Sequence, residues 1–236
     1  MPARRLLTAL LITVAAIQLG TVSIKAAATY QLDNNTISTA LNASDGTEPL
    51  DNWFGNVFTV TAGANLITSV DFGLFTCMPS AIANVILYKV TGAGGNPALG
   101  ATRVYTQAFT PLTGDNTNAF LQTIDLTSPV LFNTGDKFLV AILIRNVIAA
   151  PPNDVYPYLL DTSGSAAGSF WARANPNTFN LDNLTGARQV DQPLVSGGYT
   201  PGAAHLIIRA NAVPEPGAMA LLGLGSALLM IKRRKK

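Results

Sequence analysis

From residue 29 to residue 212 apolar positions tend to recur at every second residue, and no stretch sustains a helical period. Leu66, Thr68, Val70, Phe72 and Leu74 alternate with Ile67, Ser69, Asp71 and Gly73, the pattern of a half-buried strand. Ile82 to Val90 and Lys137 to Arg145 are apolar at both parities, which predicts central strands covered on both faces. Trp53 to Thr61, Thr102 to Thr110, Ala119 to Leu126, Pro157 to Asp161, Gly168 to Ala174 and Ala204 to Ala212 read as the remaining strands. The breaks carry turn chemistry: Thr61 to Asn65, Thr91 to Pro97, Thr113 to Asn118 and Asn133 to Asp136 are rich in Gly, Asn and Asp. Short strands at this spacing predict an all-β, two-sheet sandwich of jelly-roll-like form. Asn175 to Pro201 is polar, bears Gly and Pro, and is long for a loop. It is expected to be a surface excursion between the last two strands.

The two ends break this pattern. Arg4 and Arg5 precede an apolar run from Leu6 to Leu19, and Ala26-Ala27-Ala28 offers a small-residue cleavage site after Ala28. Residues 1–28 therefore read as a secretory signal peptide with an apolar helix, to be removed by signal peptidase. At the other end Val213-Pro214-Glu215-Pro216 leads into an apolar run from Gly217 to Ile231, followed by Lys232, Arg233, Arg234, Lys235 and Lys236. As helix, this run extends roughly 22 Å, short of the ~30 Å hydrocarbon core. Its basic end can snorkel to the headgroups and hold that end in the cytoplasm. Pro214 and Pro216 keep the residues before the helix extended.

The tail from Val213 to Lys236 resembles the PEP-CTERM sorting tail of exported bacterial proteins, with its motif, transmembrane helix and basic stop in that order. The resemblance implies recognition of Pro214, Glu215 and Pro216 by an exosortase, a transpeptidase-like membrane enzyme. It further implies removal of the tail and a cell-surface or extracellular destination in a bacterium that makes exopolysaccharide. The membrane is then touched only by the precursor. A plain C-terminal membrane anchor is the alternative reading of the same residues.

Setting the ends aside inverts the charge. The whole chain is +2, but eight of its 15 Lys and Arg lie in the terminal segments. Seven cations against twelve acids leave the body, residues 29–213, at −5. An acidic body repels phosphate backbones, so nucleic acid is not expected as a partner. Cys77 is the only cysteine, which excludes an intramolecular disulfide and a cysteine-based metal site. It reads as a small buried hydrophobe.

Catalytic chemistry is hard to assemble. His205 is the only histidine, and on a continuous last strand it shares a face with Ile207 and Arg209. That placement reads as a polar outer face rather than a catalytic base. Nucleophile-elbow and zinc-protease motifs are absent, and no cofactor is expected. Two of the twelve acids brought together in space would suffice for glycoside hydrolysis, yet nothing selects a pair. Asp45, Glu48 and Asp51, with Asp115, offer oxygen ligands of the kind calcium takes, without EF-hand spacing; solvated Asx turns are the preferred reading and no metal is expected. Trp53 and Trp171 are candidate sugar-stacking platforms, with core packing the preferred reading.

The segments beginning Phe58-Thr-Val-Thr, Ile67-Thr-Ser-Val and Val85-Ile-Leu-Tyr resemble those of bacterial exported sandwich domains akin to carbohydrate-binding jelly rolls. The reading is thus a signal peptide (1–28), a β-sandwich (29–212) and a sorting tail (213–236). The expected role is non-enzymatic, structural or adhesive in biofilm or exopolysaccharide. A carbohydrate-binding module for matrix polysaccharide is the second reading, and a two-carboxylate hydrolase the third.

Overall fold

A computed structural model of the chain describes residues 28–37, 39–41, 49–74, 83–112, 120–147, 158–162, 166–192 and 204–215. The two apolar terminal runs, Cys77, Asp45, Glu48 and Asp115 lie outside these residues. The strands are β1 (Ala28–Tyr30), β2 (Thr39–Leu41), β3 (Leu50–Thr59), β4 (Leu66–Leu74), β5 (Ala83–Val90), β6 (Ala101–Phe109) and β7 (Phe120–Leu131). They continue with β8 (Lys137–Val147), β9 (Tyr158–Asp161), β10 (Ser169–Ala174), β11 (Arg188–Gln189), β12 (His205–Leu206) and β13 (Ile208–Val213). Two 3-10 turns, Ala93–Gly95 and Pro97–Leu99, join β5 to β6.

The architecture is an all-β sandwich. One sheet runs β1-β13-β4-β7 and the other β11-β10-β3-β8-β5-β6. The pairing is nested and antiparallel: β1 with β13, β3 with β8, β4 with β7, β5 with β6. This order, in which the outermost strands of the chain pair and each inner pair follows, is that of a jelly roll. A small sheet, β12-β9-β2, is built largely from the chain between β8 and β13.

Phe54, Phe58, Phe138, Val140 and Ile142 of the larger sheet belong to one buried cluster with Val70, Phe72, Ile124 and Ile208 of the smaller. Successive side chains point to opposite faces of a strand, so Trp53, Ile86, Tyr88, Leu139, Ala141 and Leu143 lie on the other face of the larger sheet. They are buried as well, beneath Phe179, Leu181, Leu184 and Ala187. The double-parity apolar pattern of β5 and β8 thus has its cause in a second, smaller core. The described part of the excursion after β10, residues 175–192, is a lid over the sheet; the remainder of the expected loop lies outside the described residues.

The outer face of the smaller sheet is polar and uncovered by any such lid among the described residues. Thr29 Oγ1 donates to Asn211 Oδ1 at 2.8 Å, Asn211 Nδ2 donates to Asp71 Oδ2 at 2.9 Å, and Thr123 Oγ1 donates to Asp71 Oδ1 at 2.7 Å. These bonds cross four strands.

Three sequence expectations change. Strict alternation in β4 fails at Thr68, which has no partner in β13: Asn211 pairs with Ser69 and the adjacent Ala212 with Ile67. The extra residue of this β-bulge turns Ile67 inward beside Val70 and Phe72. The final strand is not continuous: Ile207 breaks it, accepting from Gly73 N and donating to Leu159 O, so β12 and β13 belong to different sheets. The body also extends one residue further than expected, since Val213 is buried and pairs with Leu66.

Candidate functional site

Trp53 and Trp171 are both wholly buried, which corrects their reading as sugar-stacking platforms. Trp171 lies in the main core against Phe54, with its Nε1 donating to Gln192 O at 3.0 Å. Trp53 lies under the lid, stacked on Phe179 with centroids 6.1 Å apart. Strand β3 alternates one ring to each face, and both faces are covered. Asp51 is also buried and accepts from Arg145 Nη1 at 2.6 Å, Asn177 N at 3.1 Å and Phe179 N at 3.1 Å. A carboxylate so used fastens the lid, which leaves it poorly suited to calcium. Among the described residues no group of three or more His, Cys, Asp or Glu converges on a metal site. The other calcium candidates, Asp45, Glu48 and Asp115, are not among them.

His205, on β12, is half-buried. Its Nδ1 is 3.5 Å from Ser169 Oγ, and Asp161 and Asp33 are close enough to act on its charge. Burial holds its pKa below the ordinary histidine value, against the opposing pull of those carboxylates. The geometry is not that of a nucleophile. Ser169 Oγ donates to Asn56 Oδ1 at 2.7 Å and is wholly buried. Asn56 Nδ2 in turn donates to Leu206 O at 2.8 Å and Ile208 O at 2.9 Å. This network satisfies the backbone where the chain passes from β12 to β13 and ties it to the larger sheet.

A groove of about 600 Å3 opens on the lid side of the larger sheet, with Val57 and Phe170 in its floor. The 3-10 turn at Ala93–Gly95 contributes one part of its lining and residues 187–189, with Gln192, another. Lys137 and Arg188 both line it. Sequence reading had no means of finding this site, because its residues come from five separate segments.

The two ends of the sandwich meet at one corner. Ala28 pairs with Ala212, Thr29 with Asn211 and Tyr30 with Ala210, so the start of β1 lies beside the end of β13. Tyr30 pins β1: its hydroxyl donates to Ala64 O at 2.6 Å and accepts from Thr61 N at 2.9 Å. Asp33, just beyond β1, takes a two-pronged ion pair from Arg209 in β13, with Arg209 Nε 3.0 Å from Asp33 Oδ2. Val213 is buried, Pro214 half-buried and Glu215 exposed. The chain therefore passes from a clamped strand to an exposed glutamate in two residues. A family model for the PEP-CTERM protein-sorting motif matches residues 212–235. The chain carries a PEP-CTERM sorting tail. Neither the curated proteins nor the solved structures give a match.

The PEP-CTERM tail makes the chain an exported protein, inserted as a membrane-anchored precursor and processed by an exosortase for the cell surface. Among the described residues no helix is long and apolar enough to cross a membrane; the apolar run of the tail lies outside them. The fold adds a constraint on how the PEP-CTERM motif is reached. Three residues separate Val213 from Gly217, a reach of at most about 14 Å of extended chain. Pro214 and Glu215 therefore lie close against the corner formed by β1 and β13. Sequence reasoning located the motif but missed the clamp behind it. The signal was present in Arg209, the one charged residue in the last strand.

Proposed function

We propose that the protein is a non-catalytic component of the cell surface or extracellular matrix, structural or adhesive, that serves in exopolysaccharide or biofilm. The observation that carries this reading is the pairing of β1 with β13. It brings the signal-peptide end and the sorting-tail end to one corner, so the membrane-anchored body projects outward with the opposite end of the sandwich free. The serine nearest the sole histidine is buried and committed to Asn56, which favours a non-enzymatic role. Signal peptidase acts at the first end and the exosortase at the second. The test compares a deletion strain with strains complemented by the wild-type chain or by Glu215→Ala. Matrix polysaccharide retained on the cells should fall on deletion and return only with the wild type. Equal retention in all strains would count against the role.

A second reading, a carbohydrate-binding module, is favoured by the polar groove beside the lid, not by the tryptophans. In this reading the matrix polysaccharide itself is the partner.

A further inference from the structure

Lys and Arg side chains are scarce in this body, and six of the seven, all but Arg173, sort into two kinds by their partners. Lys89 holds Asp136, Arg103 holds Asp182, Arg145 holds Asp51 and Arg209 holds Asp33. Lys137 and Arg188 instead donate to backbone carbonyls: Lys137 Nζ to Gly94 O at 3.0 Å, and Arg188 Nη1 to Thr185 O at 3.2 Å and Ala187 O at 3.0 Å. Carbonyl oxygens satisfy donors without neutralising charge. Among the described residues no carboxylate pairs with either cation, and both line the same groove. Asp136, next to Lys137 in sequence, is committed to Lys89 and to the Asn133 turn, and its pKa is lowered chiefly by the bond from Lys89.

We propose that this groove binds an acidic saccharide, with Lys137 and Arg188 meeting a sugar carboxylate and Gln189 and Gln192 meeting hydroxyls. Two uncompensated cations in a body of net charge −5 (residues 29–213) mark a place where an anion is favoured over the rest of the surface. An arginine with Nε and Nη2 uncommitted presents the planar fork that matches a carboxylate. Among the described residues no protein group takes the side-chain amides of Gln189 and Gln192, which offer both donors and acceptors, as sugar hydroxyls require. The volume of about 600 Å3 lies within the range of small-molecule clefts, about 300–1,000 Å3, and holds more than one sugar ring. The proposal deepens the polysaccharide-binding reading above and rests on it for the choice of saccharide over other carboxylates.

The test uses the protein isolated from expressing cells, in whatever processed form mass spectrometry finds. Binding of an oligogalacturonate is compared with that of a neutral oligogalactoside of equal length, and inorganic phosphate serves as competitor. The acidic sugar should bind, the neutral one should not, and affinity should fall as salt rises. Lys137→Gln and Arg188→Gln should each weaken binding roughly tenfold, the loss of one charge-assisted hydrogen bond, without moving the thermal midpoint. Equal binding of both sugars, or unchanged binding in the variants, would overturn the assignment of the cations. Competition by phosphate as effective as that of the acidic sugar would reduce the groove to a simple anion site and refute the saccharide claim. Binding of neither sugar would refute it too. Matrix retention in the deletion strain is a separate readout, so a failed groove and a failed surface role remain distinguishable.

Discussion

Asp33→Ala should weaken the domain severely, because it removes one half of a buried ion pair. The Asp33 side chain is fully enclosed and that of Arg209 is 11% exposed. Loss of the carboxylate strands a largely buried guanidinium without its counter-charge. Breaking such a pair on one side costs about 3–5 kcal/mol. A domain of this kind has roughly 5–15 kcal/mol in total. For a body of 185 residues, Thr29 to Val213, about 2–4 °C per kcal/mol gives a fall in Tm of roughly 6–20 °C. Urea midpoints of wild type and variant, with matched slopes, measure the loss. The double replacement Asp33→Leu with Arg209→Met should recover most of it, since a packed apolar pair removes both desolvation penalties. The Arg103–Asp182 pair sets the scale of a surface contact, with side chains 34% and 65% exposed. Arg103→Ala should cost well under about 1 kcal/mol. If Asp33→Ala costs no more than Arg103→Ala, the clamp between the N-terminal segment and the last strand is not energetically real.

Gly55→Ala should destabilise by about 1–3 kcal/mol, because a Cβ there would lie 2.8 Å from Val140 O and 2.9 Å from the Ala141 Cβ; a denaturant midpoint equal to wild type would contradict the close approach of β3 and β8. Tyr30→Phe should cost about 1–3 kcal/mol through the orphaned Ala64 carbonyl and Thr61 amide, with the ring contacts to Phe58 and Phe138 kept, as calorimetry can read. His205 titrates below its unfolded value, so the unfolded chain binds its proton first as pH falls. Stability from this residue is full above the ordinary histidine range and declines as pH drops below about 6.5. His205→Gln should reduce the fall in Tm between pH 7 and pH 5 relative to wild type, and an unchanged fall would exclude the histidine as its source.

The legible part of the fold was the part set by period. β5 and β8 announced burial on both faces, and the turns at Thr61 to Asn65 and Asn133 to Asp136 carry glycines whose φ is positive, Gly63 at 76° and Gly135 at 88°. What covers the second face was not legible, because Phe179, Leu181 and Leu184 are spaced through a polar, aperiodic segment. Bulges hide for a related reason: Thr68 fits an alternating pattern that the backbone does not follow. Very short strands such as β1 and β11 have too few residues to show a period at all. Trp53 and Trp171 left stacking and packing both open, because exposure is a property of the lid and the opposite sheet, not of the tryptophan. The sorting tail was legible because its parts are contiguous, and the groove was not, because Lys137 and Arg188 lie far apart in the chain and are singled out only by the absence of a carboxylate beside them.

The central claim is that Pro214 and Glu215 are read as they leave the clamped strand, and that the tail is then removed. Intact-mass measurement of surface and membrane fractions, for wild type and for Glu215→Ala, tests it most directly. The apolar run and its basic stop are untouched by this substitution, so the variant should still insert. The wild-type surface protein should lack the Lys232–Lys236 peptide, whereas the variant should stay in the membrane with that peptide attached. Identical masses and identical membrane fractions for the two chains would mean that the motif is not read and that the tail is a plain anchor.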